Sequence, residues 1–255
     1  DKTKITTILI IKLLAKLSFI IPRSIIVVSK KSKEHCEKTG YDKKKLILIQ
    51  NGYDLSILKP INNLKLYLRK QLKINDNVPI IGNVARYDAK KDHSNLLKSL
   101  SILKSKNIDF FCVLIGPGIN EKNLNLVNEI KKLNLGKNVK LLGSHDDITG
   151  VMNGIDIYVQ SSRFGEGFPN VVAEAMACGT PCVVTDVGDA AFIVGKIGLV
   201  VPSSNPLKLS DAIQKMILKK NMKNWNKLIN KSRLRIKENF NDNKMLSSYS
   251  ESWKI

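Results

Sequence analysis
A chain of 255 residues with 43% hydrophobic content has room for one or two domains and a substantial core. No run is long enough and free enough of charge to read as a transmembrane helix, and residues 5–21, interrupted by Lys12 and Lys16, lack the cleavage site of a signal peptide. The net charge of +20 does not single out nucleic acid as a partner: the lysines are spread along a chain rich in Asn and Ile, as an AT-rich genome produces, and no nucleic-acid motif accompanies them.

The first element, over residues 4–21, places Lys12 and Lys16 four apart on one helical side, with Ile, Leu and Phe elsewhere. The plainer reading is a packed helix with a solvated edge; the other is contact with an anionic membrane face. Residues 24–29 form a strand, 32–38 a short helix closed by Gly40, and 46–49 another strand. Two strands and two helices do not complete a sheet domain, so residues 1–52 read as the end of a larger unit.

From Pro60 the pattern alternates. Helices are expected over 62–72, 94–104, 124–133 and 147–152, and strands over 80–84, 110–115, 139–142 and 155–159. A short helix then carries Glu174, followed by a strand over 181–185. Terminal helices are expected over 207–218, 222–239 and 243–253. Strands alternating with helices, in near-continuous apolar runs, imply an α/β fold: a Rossmann-like parallel sheet with helices on both faces. Ligands of such sheets bind beyond the carboxyl ends of the strands. Arg86, Gly116, the stretch from Arg163 to Glu166, and Gly188 all follow strands there.

The most informative stretch is residues 161–181. Ser161 and Ser162 end a strand, Gly165 and Gly167 allow a tight turn, Pro169 suits a helix's first turn, and Gly179 with Pro181 stops that helix. A strand, a glycine turn and a helix N-terminus make a site for an anion or a polar sugar. Glu174 lies on a helix otherwise built of Val, Ala and Met, where a carboxylate is costly unless hydrogen-bonded; vicinal sugar hydroxyls are suitable donors. The plainer alternative has Glu166 capping the helix and Glu174 pairing with a lysine.

This stretch, EGFPNVVAEAMACGTPCVVTDVGD from Glu166 to Asp189, resembles the donor site of family 4 retaining glycosyltransferases, which have the two-lobed GT-B fold. Four more motifs resemble that family in its order: Asn51-Gly52-Tyr53-Asp54 its hinge, Val84-Ala85-Arg86 with Lys91-Asp92-His93 its basic phosphate site, Gly116-Pro117-Gly118 its glycine turn, and Gly198 to Pro202 its late G-x-V-V segment. The resemblance implies a remnant of the acceptor-binding N-terminal lobe over 1–52, a nucleotide-sugar-binding lobe over 53–240, and a final helix over 241–255 returning toward the first lobe. Most of the first lobe is expected to be absent from the chain.

The function implied is retaining transfer of a sugar from a nucleotide-sugar, such as a UDP- or GDP-sugar, to a hydroxyl of a saccharide or lipid-linked saccharide, in cell-surface polysaccharide or glycolipid assembly. Arg86 and Lys91 would bind the diphosphate and stabilise the leaving group, Glu166 would orient the sugar and Glu174 would hold the ribose. Gly116, Gly118, Arg163, Gly167, Phe168, Pro169, Asn170 and Gly188 complete the expected donor site. No metal and no cofactor beyond the donor are expected: His145 with Asp146 and Asp147 reads as a helix cap rather than a metal cage, and His93 as structural beside a cap at Asp92 or Ser94. Cys36, Cys112, Cys178 and Cys182 show no CxxC spacing and read as free thiols of a reducing cytosol.

Two departures stand out. Asp189 replaces the second glycine of the family's G-G, and Tyr53 replaces a small aliphatic at the hinge. Two other readings are a nucleotide-sugar-binding lobe without transferase activity and a sugar-nucleotide epimerase of similar fold.

Overall fold
The computed structural model describes residues 2–61 and 63–254. Its centre is a six-stranded, wholly parallel sheet in the order β5-β4-β3-β6-β7-β8. The strands are β3 (Ile80–Val84), β4 (Phe111–Ile115), β5 (Val139–Leu141), β6 (Ile157–Gln160), β7 (Cys182–Thr185) and β8 (Leu199–Val201). A separate two-stranded parallel pair, β1 (Ile25–Val27) and β2 (Leu46–Leu48), precedes it. Helix α2 (Lys30–Thr39) connects that pair, and α1 (Lys2–Leu17) lies before it.

Strand periodicity explains the two-sided core. Ile80, Val84, Val113, Ile115, Tyr158 and Val184 face one apolar cluster, shared with α6 (Ile148–Gly154), α7 (Asn170–Ala177), α8 (Ala190–Val194) and α10 (Trp225–Asn239). Helix α3 (Leu64–Leu72) packs against the same cluster through Leu68 and Leu72. Ile81, Cys112, Leu114, Ile157, Val159 and Val183 face the other, covered by α4 (His93–Ser105), α5 (Leu124–Lys132) and α9 (Pro206–Lys220). Both faces being buried is why these strands read as apolar runs rather than alternating ones.

Most predicted elements are present, with ends shifted by up to four residues. The predicted start of α3, Asn62, lies outside the described residues. Elements the sequence reading did not name include β8, the five-residue α8 and a 3-10 turn at Lys43–Lys45. Pro169 does not occupy the first turn of α7; it is the cap residue just before it, with extended ψ of 98°. The predicted caps at Gly40 and Asp92 hold. Asp147 accepts from Gly150 N at 2.7 Å, capping α6 as expected. The final helix, α11 (Asp242–Trp253), begins where the chain meets the hinge: Tyr53 N donates to Phe240 O and Asp242 N to Tyr53 O, at 2.9 and 3.3 Å. A Cβ at Gly52 would sit 2.7 Å from Asp242 Cα, so this crossing needs glycine.

At the amino end of the sheet, away from the strand exits, Asp156 anchors the fold. Its Oδ2 accepts from Arg69 Nη2 and from Ile80 N, both at 2.8 Å, and Lys220 Nζ lies 3.9 Å from Oδ1. Arg69 and Asp156 are both buried. Arg69 also donates to Asn75 O and Val78 O at 2.8 Å, tying the loop that feeds β3.

Candidate functional site
The strand order places a topological switch between β3 and β6: the chain runs outward through β4 and β5, then returns to β6 on the other side of β3. In open parallel sheets the crevice at such a point, beyond the carboxyl ends, is where ligands bind. The loop after β3 carries Arg86 and Lys91; the loop after β6 carries Arg163 and Glu166. They face each other across that crevice.

Lys91 Nζ donates to Glu166 Oε1 at 2.5 Å, and Ser162 Oγ donates to the same oxygen at 2.6 Å. Both members of the ion pair are mostly buried, with side-chain exposures of 22% and 10%. The frame beneath is tied at backbone carbonyls: Arg163 N donates to Lys90 O at 2.7 Å, Ser161 Oγ to Lys91 O at 2.9 Å, and Thr185 Oγ1 to Ser162 O at 2.7 Å. Glu166 is thus held by a lysine 75 residues earlier in the chain. It does not cap α7. Arg163, the nearest cation in sequence, does not hold it either; its side chain is exposed and only its backbone joins the frame. Arg86 turns to Asp88 instead, at 3.4 Å and largely in solvent.

Glycine positions explain how the loops meet. At Gly116, φ is 141° and a Cβ would lie 2.3 Å from Ala85 O; at Gly188, φ is 59° and a Cβ would lie 2.5 Å from Gly167 O. Gly116 therefore lets the β4 exit close on the β3 exit, and Gly188 lets the β7 exit close on the Glu166–Gly167 turn. Gly118 packs the same turn toward Tyr87. Phe168 is buried, edge-on to Phe240 with ring centroids 5.4 Å apart, which anchors the acidic loop to α10.

The N-terminus of α7 has no side-chain cap, because Pro169 offers none. Its first N–H groups and the positive end of its dipole are left for an anion. One turn in, Glu174 is half-buried, and burial pushes its carboxyl above the ordinary range. The lysine partner of the plainer sequence reading is not found: among the described residues Glu174 has no ion pair or hydrogen bond to its carboxylate. Tyr53 lies near enough for Glu174 to raise its phenol further, burial being the larger cause.

An ionised, unpartnered carboxylate held above its unfolded pKa costs stability at neutral pH, a cost that fades as pH falls into the carboxylate range. Glu174→Gln should therefore raise the thermal midpoint at pH 7 and converge with the parent near pH 4. A midpoint difference independent of pH would count against this account. His93 is buried against Tyr87, and burial lowers it to about 4, so it is neutral at physiological pH, in line with a structural role.

Asp189 is the residue whose role the sequence left open. It is buried, its N–H donates to Gly167 O at 2.8 Å, and its carboxylate crosses to the start of α2. Oδ2 accepts from Lys30 N at 2.7 Å and Oδ1 from Lys31 N at 3.1 Å, while Ser29 caps Ser32 N. Lys30 Nζ also stands 3.7 Å over the Phe192 ring of α8. The residue that departs from G-G thus caps a helix 158 residues away and fixes it against the acidic loop. Removing that cap with Asp189→Ala should cost about 0.5–2 kcal/mol and speed amide exchange at Lys30 and Lys31, whereas Asp189→Asn, with one acceptor oxygen, should spare one of the two amides. Unchanged exchange at those amides in the alanine variant would count against the cap.

An open parallel sheet with polar loops, an uncapped helix N-terminus and paired charges at its switch point defines an α/β protein with a candidate ligand crevice at that point. Residues 66–239 match the model of the family described as glycosyl transferases group 1, and the chain belongs to that family. The N,N'-diacetylbacillosaminyl-diphospho-undecaprenol alpha-1,3-N-acetylgalactosaminyltransferase of Campylobacter jejuni is 31% identical over 214 residues, 82% of this chain and 54% of that protein. The UDP-Gal:alpha-D-GlcNAc-diphosphoundecaprenol alpha-1,3-galactosyltransferase of Escherichia coli is 29% identical over 171 residues, 64% of this chain and 42% of that protein. The chain therefore spans about half the length of these relatives.

Among solved structures, Anabaena Alr3699/HepE in complex with UDP and glucose superposes with a TM-score of 0.86 at 22% identity, covering 96% of this chain and 66% of that one. A glycosyltransferase from Rickettsia africae ESF-5 gives 0.82 at 24%, covering 91% and 62%. The fold is that of GT-B glycosyltransferases.

Proposed function
We propose that the crevice between β3 and β6 binds a nucleotide-sugar and that the enzyme transfers its sugar to a hydroxyl, with retention, in cell-surface polysaccharide or glycolipid assembly. The observation that carries this is the Lys91–Glu166 pair across the switch point, beside the uncapped α7, in a chain of this family. A lysine ammonium has three donor protons. One goes to Glu166, which leaves two for diphosphate oxygens. Glu166 accepts both its bonds at Oε1, so Oε2 faces the sugar hydroxyls. Glu174 receives the ribose hydroxyls that its burial calls for. Arg86 and the α7 N–H groups add positive potential where charge grows on the leaving diphosphate.

The names of the two relatives above supply the acceptor class, a saccharide on a polyprenyl diphosphate. Such an acceptor would bring the protein from the cytoplasm to an anionic membrane face. The exposed Ile5, Ile8, Leu9, Leu13 and Ile20, near Lys12 and Lys16, suit that contact. Among the described residues no helix is long and apolar enough to cross a membrane.

The test is calorimetry with a panel of UDP- and GDP-sugars, followed by transfer to a polyprenyl-diphosphate saccharide by the full-length enzyme and NMR of the new anomeric centre. Binding with transfer and an unchanged anomer supports the reading. No binding, no transfer or an inverted anomer would overturn it.

A further inference from the structure
We infer that Tyr53 and Asn51 are positioning residues that set the amide of Asn170 to read an oxygen of the bound donor; the inference rests on the donor-site reading above. Asn170 is the first residue of α7, exposed at the mouth of the crevice. Its Oδ1 accepts from Tyr53 Oη at 2.8 Å and from Asn51 Nδ2 at 2.7 Å. Two donors saturate the two lone pairs of an amide oxygen. With both bonds at Oδ1, Nδ2 is turned away from the hinge. Among the described residues nothing accepts from Nδ2.

Tyr53 is itself buried in the core cluster and pinned through its backbone to Phe240 and Asp242, so its hydroxyl stands on a rigid base. Burial raises the phenol and the Glu174 carboxylate raises it further, so the hydroxyl is protonated at physiological pH. A small aliphatic at this position would leave Asn170 with one donor and free to flip. The hinge of this chain thus fixes a neutral, two-proton donor beside the unfilled first N–H groups of α7. Its partner is an acceptor oxygen of the donor substrate, a sugar hydroxyl or a phosphate oxygen.

The experiment is a set of double-mutant cycles in the full-length enzyme, using whichever UDP- or GDP-sugar of the panel binds. Tyr53→Phe keeps the ring and removes only the hydroxyl. Tyr53→Phe and Asn51→Ala should each lower kcat/KM for the donor by about three- to tenfold, as loss of one orienting neutral hydrogen bond does. Asn170→Ala should lower it at least as much. In the Asn170→Ala background neither hinge change should lower it further, because both act through that amide.

A merely structural tie predicts instead that the hinge changes lower the thermal midpoint and that any kinetic loss persists without Asn170. That outcome, or a Tyr53→Phe enzyme with unaltered kcat/KM, overturns the inference. If Asn170→Ala is silent while Glu166→Gln still impairs the enzyme, the inference fails and the donor site stands. If neither change alters donor binding or turnover, the donor site itself fails.

Discussion
Glu166→Gln should lower turnover of the full-length transferase by about 10²–10³-fold, the effect of removing one preorganised electrostatic contact, with a much smaller change in nucleotide affinity. The asymmetry follows from the geometry. Glu166 Oε1 is occupied by Lys91 and Ser162, so the side chain is set before any ligand arrives. In the proposed complex its free oxygen meets the sugar, whereas the nucleotide meets Lys91, α7 and Glu174. Glutamine keeps the shape and can still accept from Lys91 and Ser162 at its one oxygen, but it discharges the pair and turns an NH2 donor to where the free carboxylate oxygen stood. The lysine then keeps only a neutral acceptor.

For that reason Lys91→Ala and Glu166→Gln should be non-additive: the double variant should be little worse than the poorer single one, as for residues acting as a unit. Steady-state kinetics with separate titration of UDP measures both. Additive losses would separate the two residues and remove the pair as the centre of the site. A tenfold fall in UDP affinity with unchanged turnover would move Glu166 to the nucleotide.

The largest stability effect belongs to the opposite rim. Arg69→Ala should destabilise the protein by about 3–5 kcal/mol, the usual result of breaking a buried ion pair by removing one member, which lowers the thermal midpoint by roughly 6–20 °C in a chain of this size. Asp156 is 1% exposed and its Oδ2 accepts from Arg69 and Ile80 N, so the substitution removes a charged donor at 2.8 Å from a buried carboxylate. The same guanidinium holds two carbonyls of the loop before β3, which also lose their donor. Adding Asp156→Asn should recover part of the loss by removing the buried charge. Differential scanning calorimetry decides it; a fall of only a degree or two would mean that Lys220 or water replaces Arg69. Activity below the midpoint should be unaffected, since this pair lies at the amino end of the strands.

The alternation of apolar runs with helical periodicity, together with Gly and Pro punctuation, made the parallel sheet legible. The strand exits at Arg86, Gly116, Glu166 and Gly188 could be read as one edge for the same reason. Helix α8 escaped because its usual signal is missing: Asp189 stands at its start but spends its carboxylate on α2, and five residues carry too little periodicity. Which cation holds Glu166 was not legible: Arg163 is nearest in sequence, but Lys91 holds it from 75 positions away. Ser161 and Ser162 were legible as a strand end, but not as the hydroxyls that brace Lys91 and Glu166. Tyr53 and Asp189 were visible as departures from the family pattern, without any indication of what they reach.

Fold class, sheet direction and the rim on which ligands bind are properties of local pattern, set by side-chain period and turn chemistry within some twenty residues. The amino acids alone determined those. Which lysine holds Glu166, which carboxylate caps α2 and which hydroxyl orients Asn170 were decided only in three dimensions. Those partners lie 75 to 159 positions apart, and a hydrogen bond depends on a few ångströms that crossover geometry and burial impose after the sheet has formed.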